Sequence, residues 1–111
     1  MKQVRILQIP TPRDDSNREI FLKKFASLSM LKRMGMEFNP NIYTEVYCGE
    51  MEVKDAEDVY MRLQWVKPNG YKGHSLSVSD LVQMDGKTYF CDSVGFKDVT
   101  SKMGKTQPNV G

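Results

Sequence analysis

The dipeptide Asp85-Gly86 constrains the fold of this chain more than any other local feature. It separates two strand-like runs, Leu81–Met84 and Lys87–Cys91. Asp-Gly is typical of a two-residue type I′ turn, because both central residues of that turn need positive φ. The sequence therefore predicts a β-hairpin, with apolar side chains on both of its faces.

Alternating apolar residues predict two further strands upstream. Val4–Ile9 has the composition of a short strand, and Pro10 and Pro12 follow it. Because proline cannot donate to a ladder, we expect this strand near a sheet edge. Ile42–Cys48 also alternates and predicts a second strand that stops at Gly49.

Two amphipathic helices are predicted from their N-terminal signals. Ser16 and Glu19 have the spacing of a capping box, and Gly35 or Pro40 marks the latest end of the helix that follows. Asp55 begins a second helix, which Pro68 cannot continue. The apolar stripes consist of Phe21, Leu22, Phe25 and Leu28 in the first helix, and of Ala56, Val59, Tyr60, Leu63 and Val66 in the second.

This order of elements predicts an α+β fold. We expect a small antiparallel or mixed sheet with two amphipathic helices packed on one face, ending in the β-hairpin. A chain of 111 residues has the length of one domain. We assign residues 1–99 to that domain and expect residues 100–111, which are polar, to form a flexible C-terminal tail.

The charge balance argues against a polymeric partner. The net charge is only +2, and we expect Lys23, Lys24, Lys32 and Arg33 to form a solvated face near the first helix. A weak nucleic-acid-binding accessory protein stays open as a second alternative. No apolar run reaches the ~18 residues of a membrane span, and the N-terminal residues do not have the charged and apolar regions of a signal peptide, so we expect a cytoplasmic protein without a membrane partner.

Neither a metal nor a cofactor is predicted. The conceivable metal ligands are Cys48, His74, Cys91 and Asp92. They lack the paired short spacing of zinc sites, so buried thiols are the better interpretation. Gly70 and Gly73 match neither the P-loop nor the dinucleotide fingerprint, and we expect them to make turns.

The segment from Gly73 to Asp80 is dense in polar residues and includes each residue type of a hydrolytic triad. It lacks the strand–Gly-x-Ser-x-Gly–helix elbow, so we expect its side chains to hydrogen-bond internally. The hairpin register places Ser79 opposite Asp92, which would lock the loop before the hairpin to its far end. A hydrolase that uses His74 with a nearby serine and Asp80 or Asp92 stays open as the alternative.

Met61 and Trp65 lie four residues apart, roughly opposite the apolar stripe of the second helix. They should therefore point away from the core, unless the loop after Pro68 or the C-terminal tail covers them. Exposed Met and Trp are enriched at interface centres. We name Met61, Trp65, Tyr71 and Lys72 as a candidate partner surface.

The stretch from Tyr71 to Val82, followed by Gly86 to Phe96, resembles the YodL-like domain family. The family signature reads Gly-His-Ser-Leu-Ser-Val-Ser-Asp, a hydrophobic strand, a Gly turn, two aromatics and then Asp-Ser-x-Gly-Phe. The resemblance covers about residues 43–99. Its strongest positions are Gly73, His74, Ser75, Ser77, Ser79, Asp80, Asp92, Gly95 and Phe96.

The resemblance implies a function without implying catalysis. Similar domains occur in bacteria and in large proteins of phages and conjugative elements. We therefore expect a non-enzymatic protein-interaction module of a mobile genetic element, which docks on a host protein or a defence component. The resemblance adds no catalytic residue, cofactor or metal.

Overall fold

A five-stranded antiparallel sheet is the largest element of the computed structural model, which describes residues 1–10 and 23–104. Its strands are β1 (Lys2–Gln8), β2 (Thr44–Met51), β3 (Leu81–Met84), β4 (Lys87–Cys91) and β5 (Phe96–Asp98). The α-helices are α1 (Leu28–Arg33), α2 (Ala56–Trp65) and α3 (Thr100–Gly104), and a 3₁₀ turn spans Pro40–Ile42. The predicted α+β class is confirmed. Among the described helices, none is long and apolar enough to cross a membrane.

The predicted hairpin is confirmed with its register. Leu81 pairs with Phe90, and Asp85 and Gly86 have φ angles of 55° and 74°, as a type I′ turn requires. The chain does not end there, because β5 adds a further strand to β4. The connecting turn is closed by the Asp92 N–H, which donates to the Gly95 carbonyl at 3.0 Å.

The prediction of β1 at a sheet edge is wrong. The strand order is β2-β1-β3-β4-β5, so β1 pairs on both sides. Pro10 does not interfere, because the ladder ends at Gln8. Val4 and Ile6 are fully buried in the main core cluster, and β1 therefore belongs to the same core as the rest.

The two helices predicted on one face are not confirmed in that arrangement. Val59 of α2 packs in the core cluster that contains Val82. Leu28 of α1 packs against the second cluster, which contains Leu81. Neighbouring residues of a strand point to opposite faces, so these helices are associated with different sides of the sheet.

The first helix differs from its prediction. Ser16, Glu19, Phe21 and Leu22 lie outside the described residues. The predicted stripe through Phe25 to Leu28 is wrong, because Phe25 is exposed and has a left-handed φ of 67°. Lys23 is helical, Phe25 interrupts the predicted helix, and α1 begins at Leu28, where the Ser27 hydroxyl accepts a hydrogen bond from the Met30 N–H at 3.1 Å.

The basic residues near α1 do not form a uniformly solvated face. Lys23 is buried, and its ammonium group donates to the carbonyl of Glu37. The Lys24 ammonium is half-buried and donates to the carbonyl of Ile9 at 2.5 Å. Lys32 and Arg33 are exposed as expected.

The predicted second helix is confirmed as α2. The ends of α2, of β2 and of the domain differ from their predictions. Asp55 caps α2 by accepting the Asp58 N–H at 2.9 Å, while Val66 lies beyond the helix and is exposed. Strand β2 continues through Gly49 to Met51. Residues 100–104 of the expected tail form α3, and residues 105–111 lie outside the described part.

Replacing Gly86 by alanine should lower the free energy of unfolding by about 1–2 kcal/mol. A Cβ at this position meets no atom within 4 Å, so the cost is backbone strain at positive φ. Urea denaturation measures it. Asp85→Asn is the matched control, because asparagine tolerates positive φ and the variant loses only an exposed ion pair with Lys2. Equal stability of Gly86→Ala and the wild type would contradict this turn.

Candidate functional site

The side-chain amide of Gln8 is the centre of a buried polar network. Gln8 is 3% exposed. Its Nε2 donates to the His74 carbonyl at 2.8 Å and to Asp80 Oδ2 at 3.0 Å, and its Oε1 accepts the His74 N–H at 3.2 Å. The Tyr71 hydroxyl donates to the same His74 carbonyl at 2.7 Å. These bonds tie β1 to the loop before β3.

Position 73 requires glycine because Gln8 and Val46 lie close to its backbone, and not because of a turn there. A Cβ built on Gly73 would lie 2.1 Å from Gln8 Oε1 and 3.0 Å from the Cβ of Val46. Gly70 does act as a turn residue, with a φ of 86°. The expectation of two turn glycines is therefore right for Gly70 and wrong for Gly73.

The Asp80 carboxylate is the ionisable group of this network. Asp80 is 1% exposed, and its Oδ2 accepts from Gln8 and from the Ser77 N–H at 2.9 Å. Burial raises the pKa of Asp80 to about 6. The hydrogen bonds from Ser77 and Gln8 and the positive charges of His74 and Lys24 oppose that rise.

The imidazole of His74 is not arranged as in a hydrolytic triad with any of the described side chains. Its Nδ1 lies 2.6 Å from the carbonyl of Ser75, and because a carbonyl only accepts, Nδ1 carries the proton. The distance from Nδ1 to Asp80 Oδ2 is 3.9 Å, too long for a hydrogen bond. His74 Nε2 is buried and has no hydrogen-bond partner within the described residues. A triad would need a hydroxyl there.

Ser79 and Asp92 do not lie in the predicted register. The Ser79 N–H donates to the Cys91 carbonyl, and the Cys91 N–H donates to the Asp80 carbonyl, each at 2.8 Å. Two residues therefore oppose one, with Ser79 at a φ of 86°, which is the pattern of a G1 β-bulge. The backbone still joins the loop before the hairpin to its far end.

Both of these side chains hold the segment before α1. The Ser79 hydroxyl accepts the Phe25 N–H at 3.0 Å, and Asp92 Oδ1 accepts the Leu28 N–H at 3.2 Å. The Tyr43 hydroxyl donates to the Ser79 carbonyl at 2.5 Å, and burial raises the pKa of that phenol. The polar motif thus organises three separate parts of the chain around the start of β3.

The two thiols lie in different environments. Cys91 is buried, as expected, and burial together with the charges of Asp80 and Asp92 raises its pKa to about 11. Cys48 is exposed, so the prediction of a buried thiol is wrong for that residue. In residues 1–10 and 23–104, no three His, Cys, Asp or Glu side chains are grouped as metal ligands.

The last part of the motif reaches the surface. A groove of about 450 Å³ lies between α2 and the region around β5; we call it the α2–β5 groove. The rings of Tyr60 and Phe96 meet in it at a centroid distance of 6.5 Å. Its lining includes Glu57, Tyr60, Met61, Asp92, Gly95 and Phe96.

The four residues of the candidate partner surface differ in their exposure. Met61 and Trp65 are 56% and 82% exposed on α2, which confirms that they point away from the core. Tyr71 is half-buried; its ring stacks on Tyr47, and its hydroxyl belongs to the Gln8 network. Lys72 is exposed, and its N–H donates to the carbonyl of Val46 at 2.9 Å.

Gln8 and Tyr43 are the network residues that sequence reasoning did not select. Gln8 shares the strand parity of Val4 and Ile6, so alternation places it on their buried face. A glutamine on that face is a signal, because a buried amide needs partners. Tyr43 offers no such signal, since it lies just before β2.

Replacing Gln8 by leucine should lower the free energy of unfolding by about 3 kcal/mol, since the His74 N–H and the Asp80 carboxylate lose their partner. Urea denaturation monitored by circular dichroism measures the loss. Gln3→Leu is the matched control on the same strand and should change stability by less than about 0.5 kcal/mol, because Gln3 is exposed. An equal effect of the two variants would refute the network.

The raised pKa of Asp80 predicts a pH dependence of stability. The folded protein binds the Asp80 proton more tightly than the unfolded chain, whose carboxyl has a pKa near 3.8. Protonation therefore stabilises the fold below about pH 4, and this contribution is lost as the pH rises through about 6. The stability of Asp80→Asn relative to the wild type should increase by about 2 kcal/mol from pH 4 to pH 7. A constant difference across this range would contradict the burial of a charged carboxylate.

Comparison with known proteins gives one finding. Neither a curated protein nor a solved structure matches this chain. The family model of the YodL-like domain matches residues 3–101 of the 111, which extends the resemblance from the second half of the chain to β1 and the start of α3. The matched span includes Gln8 together with the Gly73–Asp80 segment to which it is bonded. The chain therefore belongs to the YodL-like domain family.

Proposed function

We propose that the chain is a non-enzymatic protein-interaction module of a bacterial mobile genetic element, and that it modulates a host protein or a defence system. The place of action that we propose is the host cytoplasm. The mobile-element part rests on the family, whose similar domains occur in phages and conjugative elements.

The exposure of large apolar side chains on α2 carries the interaction part of the proposal. Met61 and Trp65 lie one helical turn apart and are 56% and 82% exposed. Val66, the residue after the helix, is also exposed. Exposed apolar patches of this kind mark interaction surfaces, and tryptophan is the residue type most enriched at their energetic centres. A binding role gives these side chains a reason to be solvent-exposed.

The internal use of the polar motif supports a non-enzymatic role. The Asp80 carboxylate accepts donors from Gln8 and Ser77, and His74 Nδ1 donates to a backbone carbonyl. The Ser79 hydroxyl accepts a backbone N–H. Side chains that hold the fold through such bonds are not positioned to transfer protons to a substrate.

Capture of a host protein by the immobilised chain tests this function. Trp65→Ser and Met61→Ser should each weaken the captured protein's affinity, with Trp65→Ser costing about 2 kcal/mol, or roughly thirtyfold. Met30→Ser is the matched control, because Met30 is a similarly exposed methionine on α1. Affinity is measured by surface plasmon resonance with the protein recovered from lysate of the bacterial host.

Two results would contradict the proposal. One is recovery of no saturable partner from host lysate. The other is a partner whose affinity is equally reduced by Met30→Ser and by the α2 variants. Turnover of a substrate that depends on His74 would favour the hydrolase alternative.

A further inference from the structure

We propose that the α2–β5 groove binds an arginine side chain of the partner protein, with the guanidinium against the corner formed by the Tyr60 and Phe96 rings and facing the Glu57 and Asp92 carboxylates. This site rests on the proposed function, because it names the chemistry by which the partner is recognised.

The shape of the groove suits a planar cation. The Tyr60 and Phe96 ring planes are inclined by 75°, so the two rings form adjacent walls of a corner. Met61 extends from α2 at the rim of the same groove and is mostly exposed. The volume of about 450 Å³ lies in the range of side-chain and small-ligand sites.

The charge of the groove selects a cation. Glu57 and Asp92 are the charged residues of its lining, and no Lys, Arg or His from the described residues lines it. Glu57 is exposed, and Oε2 lies 3.9 Å from the position that a Cβ on Gly95 would take, so its carboxylate lies beside the 92–95 turn. Within the described chain the Glu57 carboxylate accepts no hydrogen bond and is available to a partner.

The second carboxylate is held in a fixed orientation. Asp92 Oδ1 accepts the N–H groups of Leu28 and Ser93, at 3.2 and 2.9 Å. These bonds orient the carboxylate, and Oδ2 accepts no hydrogen bond from the described residues, so it can accept one from a partner. A preformed acceptor lowers the ordering cost of binding.

Arginine fits this combination better than the other candidate occupants. Guanidinium is planar, stacks on aromatic rings and presents several donors to carboxylates, whereas the ammonium of lysine is a point charge. Phosphate groups are repelled by two carboxylates. An apolar side chain would desolvate both carboxylates without pairing them.

Nuclear magnetic resonance on the full chain tests the site directly. The probe is the peptide acetyl-Gly-Ser-Arg-Ser-Gly-amide, and the reference peptide carries citrulline, which has the shape of arginine without its charge. We expect saturable shifts of the Met61 methyl and the Gly95 amide with the arginine peptide, and roughly tenfold weaker binding of the citrulline peptide. A lysine peptide should bind more weakly than the arginine peptide.

Matched variants separate the groove from general surface charge. Glu57→Gln should weaken binding of the arginine peptide about two- to fivefold, which corresponds to the upper part of the range for an exposed charge pair. Glu52→Gln makes the same change in net charge at another exposed glutamate outside the groove and should leave binding unchanged. Tyr60→Leu should weaken binding while keeping an apolar side chain.

Several outcomes would overturn the site: no saturable shift, equal binding of the arginine and citrulline peptides, or equal effects of the Glu57 and Glu52 variants. Lysine binding as tightly as arginine would overturn the choice of arginine. Shifts of the same signals with chain concentration alone would indicate a second copy as the occupant. The two experiments test the arginine site and the proposed function independently. Peptide binding is measured without the natural partner, and capture of the host protein is tested with the Trp65→Ser variant.

Discussion

The burial of the Asp80 carboxylate beside the Gln8 amide is the constraint on which much of this structure depends. A buried charge and a buried amide are costly unless every polar atom finds a partner. The partners here come from β1 and from the loop before β3, with the His74 backbone supplying both a donor and an acceptor to Gln8. This pairing explains why Gly73 has no side chain, since a Cβ would collide with Gln8.

The polar motif of the family divides into two parts with different roles. From Gly73 to Asp80 it is directed inward and joins separate segments of the chain. From Asp92 to Phe96 it closes the β4–β5 turn and supplies one wall of the α2–β5 groove. Ser77 belongs to both parts, because its N–H donates to Asp80 Oδ2 and the residue also lines the α2–β5 groove. The surface that we propose for binding is therefore positioned by the buried network.

Local signals were sufficient for the hairpin and for α2. Asp85-Gly86 specifies a turn by its own conformational preferences, and Asp55 caps a helix with one clear apolar stripe. The position of β1 inside the sheet depends on its pairing with β2 and β3, which are distant in sequence, and the residues of β1 alone do not indicate these partners. Phe25 and Ser79 have positive φ although neither is glycine, and the hydrogen bond from the Phe25 N–H to the Ser79 hydroxyl links them. A local sequence pattern does not reveal such tertiary support, which is why the predicted register of Ser79 and the predicted place of Phe25 in the first apolar stripe are wrong.

The bond from the Lys72 N–H to the Val46 carbonyl has a consequence for the behaviour of the protein in concentrated solution. Strand β2 has eight residues and lies at the edge of the sheet, where unpaired backbone groups invite intermolecular strand pairing. The loop occupies a carbonyl in the middle of that edge, and an irregularity in the β1–β2 pairing interrupts the strand at the same place. Glu50 adds an exposed negative charge to the same strand, and Glu45 forms an ion pair with Arg5 at 2.8 Å. The backbone of the 71–73 loop and the irregularity in β2 thereby protect the longest open edge of the sheet against intermolecular strand pairing.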